Sequence, residues 1–367
     1  MADPRMEGWA KALVGYSVEV KPEQTVVIAG GVAAEPLLRA IYTEVVARGA
    51  FPILLPVFDG LGAVLLGGGS DAQLQYLSPV ERFVRGEADV VINVLAETNT
   101  KSLSAVDPSR QSLMQKARAE LFKTFMRRSA DGEMDWTLTL YPTEAYAQDA
   151  DMSTGEYTEF VLNACKLTTP DPVAAWRAVA TGQQRLIDWL AGKQEVRVRG
   201  PEIDLTLSVA GRTWINADGR KNFPDGEIFT GPVEDSVNGT IRFSFPVVTA
   251  GREVEDIRLR FEAGKVVEAS AAKNEAYLLK TLDTDPGARF LGEFAFGTNF
   301  AINRFTKNIL FDEKIGGTIH MAVGAGYPDT GSRNESAVHW DMIADLRQGG
   351  EVDVDGELFM RDGKYVV

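Results

Sequence analysis

Residues 25–58 read TVVIAGGVAAEPLLRAIYTEVVARGAFPILLPVF. Residues 25–29 are a short apolar, β-branched run suited to a buried parallel strand. Residues 35–48 then place Leu38, Ile41, Val45 and Val46 on one helical stripe, and Gly49 ends it. Residues 51–58 return to a strand. Strand, helix, strand within so short a span implies a parallel βαβ crossover.

The same alternation continues outward. Residues 89–95 (DVVINVL) and 136–140 read as further strands, and residues 109–128 as a long polar helix carrying Leu113, Ala117, Leu121 and Phe125. Residues 153–166 form a second helix. Asp171 with Pro172 is an N-cap and first-turn proline, opening a helix that runs to about residue 191 before Gly192. From residue 195 the period changes to two. Residues 196–199, 203–209, 241–245, 257–261 and 265–269 alternate apolar with polar, the pattern of half-buried antiparallel strands. Ala263-Gly264 is a hairpin turn between two of them. The expected fold class is α/β: an N-terminal open, mostly parallel βαβ sheet domain over residues 1–192, then an α+β domain rich in antiparallel strands over residues 193–367.

Composition narrows the function. A length of 367 residues favours two domains. A net charge of −14 argues against a nucleic-acid partner, which needs clustered Lys and Arg. No apolar run approaches the ~20 residues of a bilayer span, so no membrane partner is expected. The single cysteine, Cys165, rules out an intrachain disulfide and reads as a small core residue. The first residues show no secretory pattern, and the expected compartment is the cytoplasm.

The chain has two histidines, His320 and His339, within one 20-residue stretch. In AVHWDMI, His339 and Asp341 lie two apart, so on a strand they project from one face. In GTIHMAVG, His320 is likewise set on a strand. Imidazole and carboxylate together suit a divalent metal. Glu227 follows a Pro-Asp-Gly turn, read as a rigid loop feeding an acid into a cleft. Glu293 is a lone acid in LGEFAFGTN, costly to bury unless paired or metal-bound. Glu313 lies seven residues before His320, where Asp312 and Lys314 also permit an ordinary exposed charge. Two histidines with three or four carboxylates suit two ions roughly 3.5–4 Å apart, with a water that ionises near neutral pH to attack a carbonyl. No Gly-x-Ser-x-Gly elbow supports a serine triad. Gly30-Gly31 lacks the dinucleotide spacing, and Gly67 to Gly69 lacks a following Gly-Lys-Ser/Thr. Tyr327, on a loop between the histidine strands, either hydrogen-bonds a substrate oxyanion or simply packs.

Five blocks carry a wider likeness: residues 141–153 (YPTEAYAQDADMS), 222–241 (NFPDGEIFTGPVEDSVNGTI), 291–299 (LGEFAFGTN), 308–328 (NILFDEKIGGTIHMAVGAGYP) and 334–343 (NESAVHWDMI). In this order they make the chain resemble the M29 family of thermophilic-type metalloaminopeptidases, over nearly its whole length. The resemblance implies a cocatalytic pair of divalent ions (zinc, cobalt or manganese) with a bridging hydroxide, hydrolysis of the N-terminal residue of peptides with a free N-terminus, and a homodimer. Carried over by position, it makes Glu227 a first-metal ligand and Glu293 the bridging ligand. Glu313, His320, His339 and Asp341 complete the metal set. Tyr327 matches a tyrosine near the metals. Either Glu293 or Glu313 would shuttle the proton. The alternative is a mononuclear Fe(II) ring-cleaving dioxygenase of the dihydroxypyridine type, held by His320, His339 and Asp341 alone.

Overall fold

The computed structural model describes residues 3–249 and 252–367. It is α/β, and the chain divides into two compact units. The first comprises Met1–Ala175 with Gly219–Pro224, the second Trp176–Asp218 with Asp225–Val367. The helix Pro172–Leu190 starts in the first unit and continues into the second, so the units part inside it, after Ala175, and not near residue 192 as the change of period suggests. Among the described residues no helix is long and apolar enough to cross a membrane.

The first unit is built on a five-stranded, wholly parallel sheet. Its order is Phe51–Val57, Thr25–Gly31, Val90–Leu95, Asp135–Leu140, then the short strand Asn222–Phe223. Val26, Val27, Ile28, Val90 and Ile92 are buried, as continuous apolar strands in such a sheet require. The helix Glu35–Ala47 buries Leu37, Leu38, Ile41 and Val45. Gly30 allows this packing, because a Cβ there would lie 2.8 Å from Leu38 Cδ2 and 3.0 Å from Val94 Cβ.

The strand Phe51–Val57 departs from what its apolar run suggests. It lies at the sheet edge, with Phe51 and Val57 more than half exposed. Phe51 N donates to Gln24 O, so alternate residues from Phe51 onward turn their backbone groups inward. The outward donors belong to residues 52, 54 and 56, and Pro52 and Pro56 remove two of these three. Prolines placed so blunt an edge against further strand pairing.

The second unit holds an eight-stranded antiparallel sheet and a separate five-stranded one. The hairpin expected at Ala263-Gly264 joins Ile257–Glu262 to Lys265–Ser270, with Glu262 opposite Lys265 and both turn residues at positive φ. Inward residues of both sheets share one core, including Val198, Leu205, Ile241, Phe294, Phe296, Met321 and Met342. The five-stranded sheet runs His339–Asp345, Thr318–Gly324, Leu291–Gly297, Glu227–Thr230, Ile215–Ala217. Every pairing in it is antiparallel.

Candidate metal centre

Strand alternation sends Phe294, Phe296, Ile319, Met321, Val323, Trp340 and Met342 into the core. The opposite face is left for the residues between them. Register then lines these up. Ala295 pairs with His320, Glu293 with Ala322, Ala322 with Asp341, Gly324 with His339, and Gly297 with Glu227. Four neighbouring strands thus present Glu227, Glu293, His320, His339 and Asp341 on one face. The intervening positions are Ala295, Gly297, Ala322 and Gly324, small residues that leave room above the sheet.

Glu227 is the first residue of its strand, where a loop position had been expected. Gly226, at φ +119°, makes the turn into it; a Cβ there would sit 2.7 Å from Asn299 Cβ. Glu313 caps the short helix Ile309–Asp312. It is not the ordinary surface charge that its neighbours allowed, because Lys314 is fully buried and Asp312 nearly so.

The ligand-bearing atoms converge. Those of Glu227, Glu293 and His320 lie within 4.8 Å of one another, as do those of Glu293, His339 and Asp341, and those of Glu313, His320 and Asp341. Glu293 belongs to the first two groups. Its Oε1 lies 3.4 Å from His320 Nε2 and its Oε2 3.4 Å from His339 Nε2. His320 Nε2 is also 3.6 Å from Glu227 Oε2, and His339 Nε2 is 3.5 Å from Asp341 Oδ2.

Both imidazoles are oriented from behind. His320 Nδ1 meets Glu313 O at 2.9 Å and His339 Nδ1 meets Ala325 O at 2.8 Å. A carbonyl oxygen only accepts, so each Nδ1 carries the proton and each Nε2 faces the carboxylates. This is the usual support behind a metal-binding histidine.

The residues fit divalent cations. The Nε2–carboxylate separations exceed the ~2.7–2.9 Å of a charge-assisted hydrogen bond. Tetrahedral ligands at ~2.0–2.1 Å from one ion stand roughly 3.3 Å apart, close to the spacing seen here. Glu227 Oε2 and Asp341 Oδ1 are buried with no hydrogen-bond partner. Buried carboxylate oxygens of that kind call for a cation.

The electrostatics agree. Burial pushes the His320 imidazole down, but Glu293, Glu227 and Glu313 outweigh it and raise it to about 10. Against the same burial, Asp341 and Glu293 raise His339 to about 11. Burial lifts Glu227 to about 8, with Lys314 and His320 pulling against it. Burial also raises Glu313. Glu293 and Asp341 are held low despite burial, Glu293 by both histidines and Asp341 chiefly by His339. Tyr327 is exposed at the rim, its ring 5.1 Å from that of His339 and 5.6 Å from that of Phe229. Desolvation, and after it the charges of Glu293 and Asp341, raise its hydroxyl and keep it protonated.

Two residues escaped the sequence reading. Lys314 Nζ contacts Glu313 and lies 3.4 Å from Glu227 Oε1 and 3.8 Å from Asp225 Oδ1. Asp225 is itself buried. The available signal was the charged triplet Asp312-Glu313-Lys314 set between apolar Ile309-Leu310-Phe311 and Ile315.

Comparison with known proteins gives these residues a context. The profile of the family described as thermophilic metalloprotease (M29) matches residues 2–365. Aminopeptidase 2 of Geobacillus stearothermophilus is 26% identical, covering 99% of this chain and 95% of its own. Aminopeptidase T of Thermus thermophilus is 30% identical, covering 74% of this chain and 75% of its own. The solved structure of wild-type AmpT from Thermus thermophilus matches with a TM-score of 0.85 at 25% identity over 99% of both chains. A 2,5-dihydroxypyridine dioxygenase from Pseudomonas putida KT2440 shares the fold alone, with a TM-score of 0.60 and 14% identity over 99% of this chain and 97% of its own. Matched across nearly its whole length, the chain belongs to the thermophilic metalloprotease (M29) family.

Proposed function

We propose that this metallopeptidase removes the N-terminal residue of peptides, using two divalent cations (zinc, cobalt or manganese) held by Glu227, Glu293, Glu313, His320, His339 and Asp341. The observation that carries the reading is the place of Glu293 between the two histidines, one oxygen turned to each. A carboxylate so placed suits a bridging role between paired ions. When bound, such ions polarise the scissile carbonyl and bring the pKa of water toward neutrality.

The chain's own residues do the rest. Glu227 with His320, and Asp341 with His339, flank Glu293, one pair on the side of each of its oxygens. A free N-terminal amine in its neutral form would serve as a donor to one of these ions, which sets the enzyme to act at chain ends. Glu293 or Glu313, both within the ligand cluster, carries the proton. The Tyr327 hydroxyl, kept protonated, donates to the oxygen that gains charge at the scissile carbonyl. A mononuclear iron site would need only His320, His339 and Asp341, and would leave the buried Glu227 and Glu293 carboxylates without a task. The homodimer and the cytoplasmic location implied earlier stand as proposals, tested by sedimentation and by fractionation.

The deciding experiment is hydrolysis of a panel of aminoacyl-anilides by chelated and metal-reconstituted protein. Turnover that returns with metal, at two ions per chain, and that fails on N-acetylated substrates is the expected result. One iron per chain with oxygen consumption would overturn it.

A further inference from the structure

The ligand-bearing face of the His339 strand continues into a cavity of about 130 Å³. His339 and Asp341 form one wall. Pro246, Val247, Val248, Phe305, Ile309 and Ile343 form most of the remainder. Ile343 stands two residues beyond Asp341, so it shares that face of the strand. Phe305 is held in place by Phe245, the rings stacked at 5.0 Å and 8°. The loop after Phe305 is fixed by Asp312, whose Oδ1 accepts from Thr306 N at 2.7 Å and Thr306 Oγ1 at 2.8 Å. This is a small cavity whose apolar wall of Val247, Val248, Phe305, Ile309 and Ile343 faces the polar groups of Lys307, Asp312, His339 and Asp341, and it opens beside two candidate metal ligands.

We infer that this cavity receives the side chain of the substrate's N-terminal residue and selects aliphatic or single-ring side chains; the inference rests on the aminopeptidase reading. Size supports it. An apolar cavity of about 150 Å³ admits a benzene ring, so this one matches a leucyl or phenyl group. Chemistry supports it as well, because burying a charged side chain among Val247, Phe305 and Ile309 carries a desolvation cost. Position decides which substrate residue enters. The first Cβ is bonded to the carbon lying between the free amine and the scissile carbonyl, the two groups drawn to the ligand cluster. The second residue's Cβ lies beyond the scissile nitrogen, farther from His339 and Asp341.

The test uses metal-reconstituted full-length protein with Ala-, Leu-, Phe- and Lys-anilides, together with the dipeptides Leu-Ala and Ala-Leu. Ile309 is 43% exposed, so its replacement does not open the core. In Ile309→Trp, which fills the cavity, the Leu-to-Ala ratio of kcat/KM should fall by about 10-fold or more, the scale set by apolar pocket contacts. In Ile309→Ala, which enlarges it, the Phe-to-Leu ratio should rise. Should Ile309→Trp lose its metal, Ile309→Ala decides alone. Unchanged ratios in a turning-over enzyme overturn the pocket assignment and leave the aminopeptidase reading standing. A shift in preference at the second residue, read from the dipeptides, overturns it too. No turnover of any substrate by the reconstituted wild type defeats the aminopeptidase reading itself, and the pocket assignment with it.

Discussion

Lys314 Nζ lies 3.4 Å from Glu227 Oε1, and the lysine side chain is completely buried. A lone ammonium in the interior is strongly disfavoured. Burial pushes Lys314 down, yet Glu227, Glu313 and Asp225 outweigh it and hold it charged, well above the usual lysine range. Lys314 therefore acts as a fixed cation under the ligand cluster and positions Glu227 and Glu313. Lys314→Met keeps most of the stem and removes the charge. Loss of one partner from a buried ion pair costs about 3–5 kcal/mol, so the metal-free variant should unfold at markedly lower urea. Added divalent metal should recover part of the loss. Urea melts with and without metal measure both effects; a variant as stable as wild type would rule out the positioning role.

Glu293 offers one oxygen to each histidine. Glu293→Gln preserves shape and removes the charge shared by both sides. Changing an outer-shell partner typically costs about 10–100-fold in metal affinity or activity, and a residue at the centre of the cluster should cost more. Elemental analysis should find fewer than two ions per chain and anilide hydrolysis should fall beyond that range. Wild-type metal content in the variant would count against a bridging role.

Tyr327→Phe deletes one hydroxyl and leaves the ring contacts with His339 and Phe229 in place. Removing a donor to a developing oxyanion costs about 10²–10³ in kcat. We expect that loss in kcat with KM and metal content close to wild type. A variant with normal kcat would make Tyr327 a packing residue.

Burial raises the Asp312 carboxyl from 3.8 to about 8, with the Thr306 hydrogen bonds pulling the other way. The folded metal-free protein thus keeps a proton that the unfolded chain releases near 3.8. Between these values the folded state binds more protons, so this group's contribution to stability declines as pH rises from about 4 to about 8. Asp312→Asn still accepts from Thr306 and has no proton to lose. Urea midpoints of chelated protein at pH 5 and pH 8 should fall less in the variant than in wild type. Equal slopes would show that Asp312 titrates as an exposed acid does.

Much of this was legible in the chain itself. The change of period near residue 195, the βαβ rhythm before it and the Ala263-Gly264 hairpin all depend on neighbours in sequence, and each reappears in the structure. The two-residue spacing of His339 and Asp341 likewise puts both on one face of a strand without reference to anything distant.

What lay beyond the sequence are the features set by contacts between remote segments. Sheet order, not composition, left the apolar strand Phe51–Val57 at an exposed edge. Pairing register, not spacing, brought Ala322 opposite both Glu293 and Asp341 and so gathered acids from separate strands above one small-residue floor. Lys314 reads as a surface charge beside Glu313, and only the packing of residues 225–227 against it makes it interior. Local periodicity reports which way a side chain points relative to its own strand. What that side chain meets there is decided by long-range pairing, which a single chain of letters does not encode position by position.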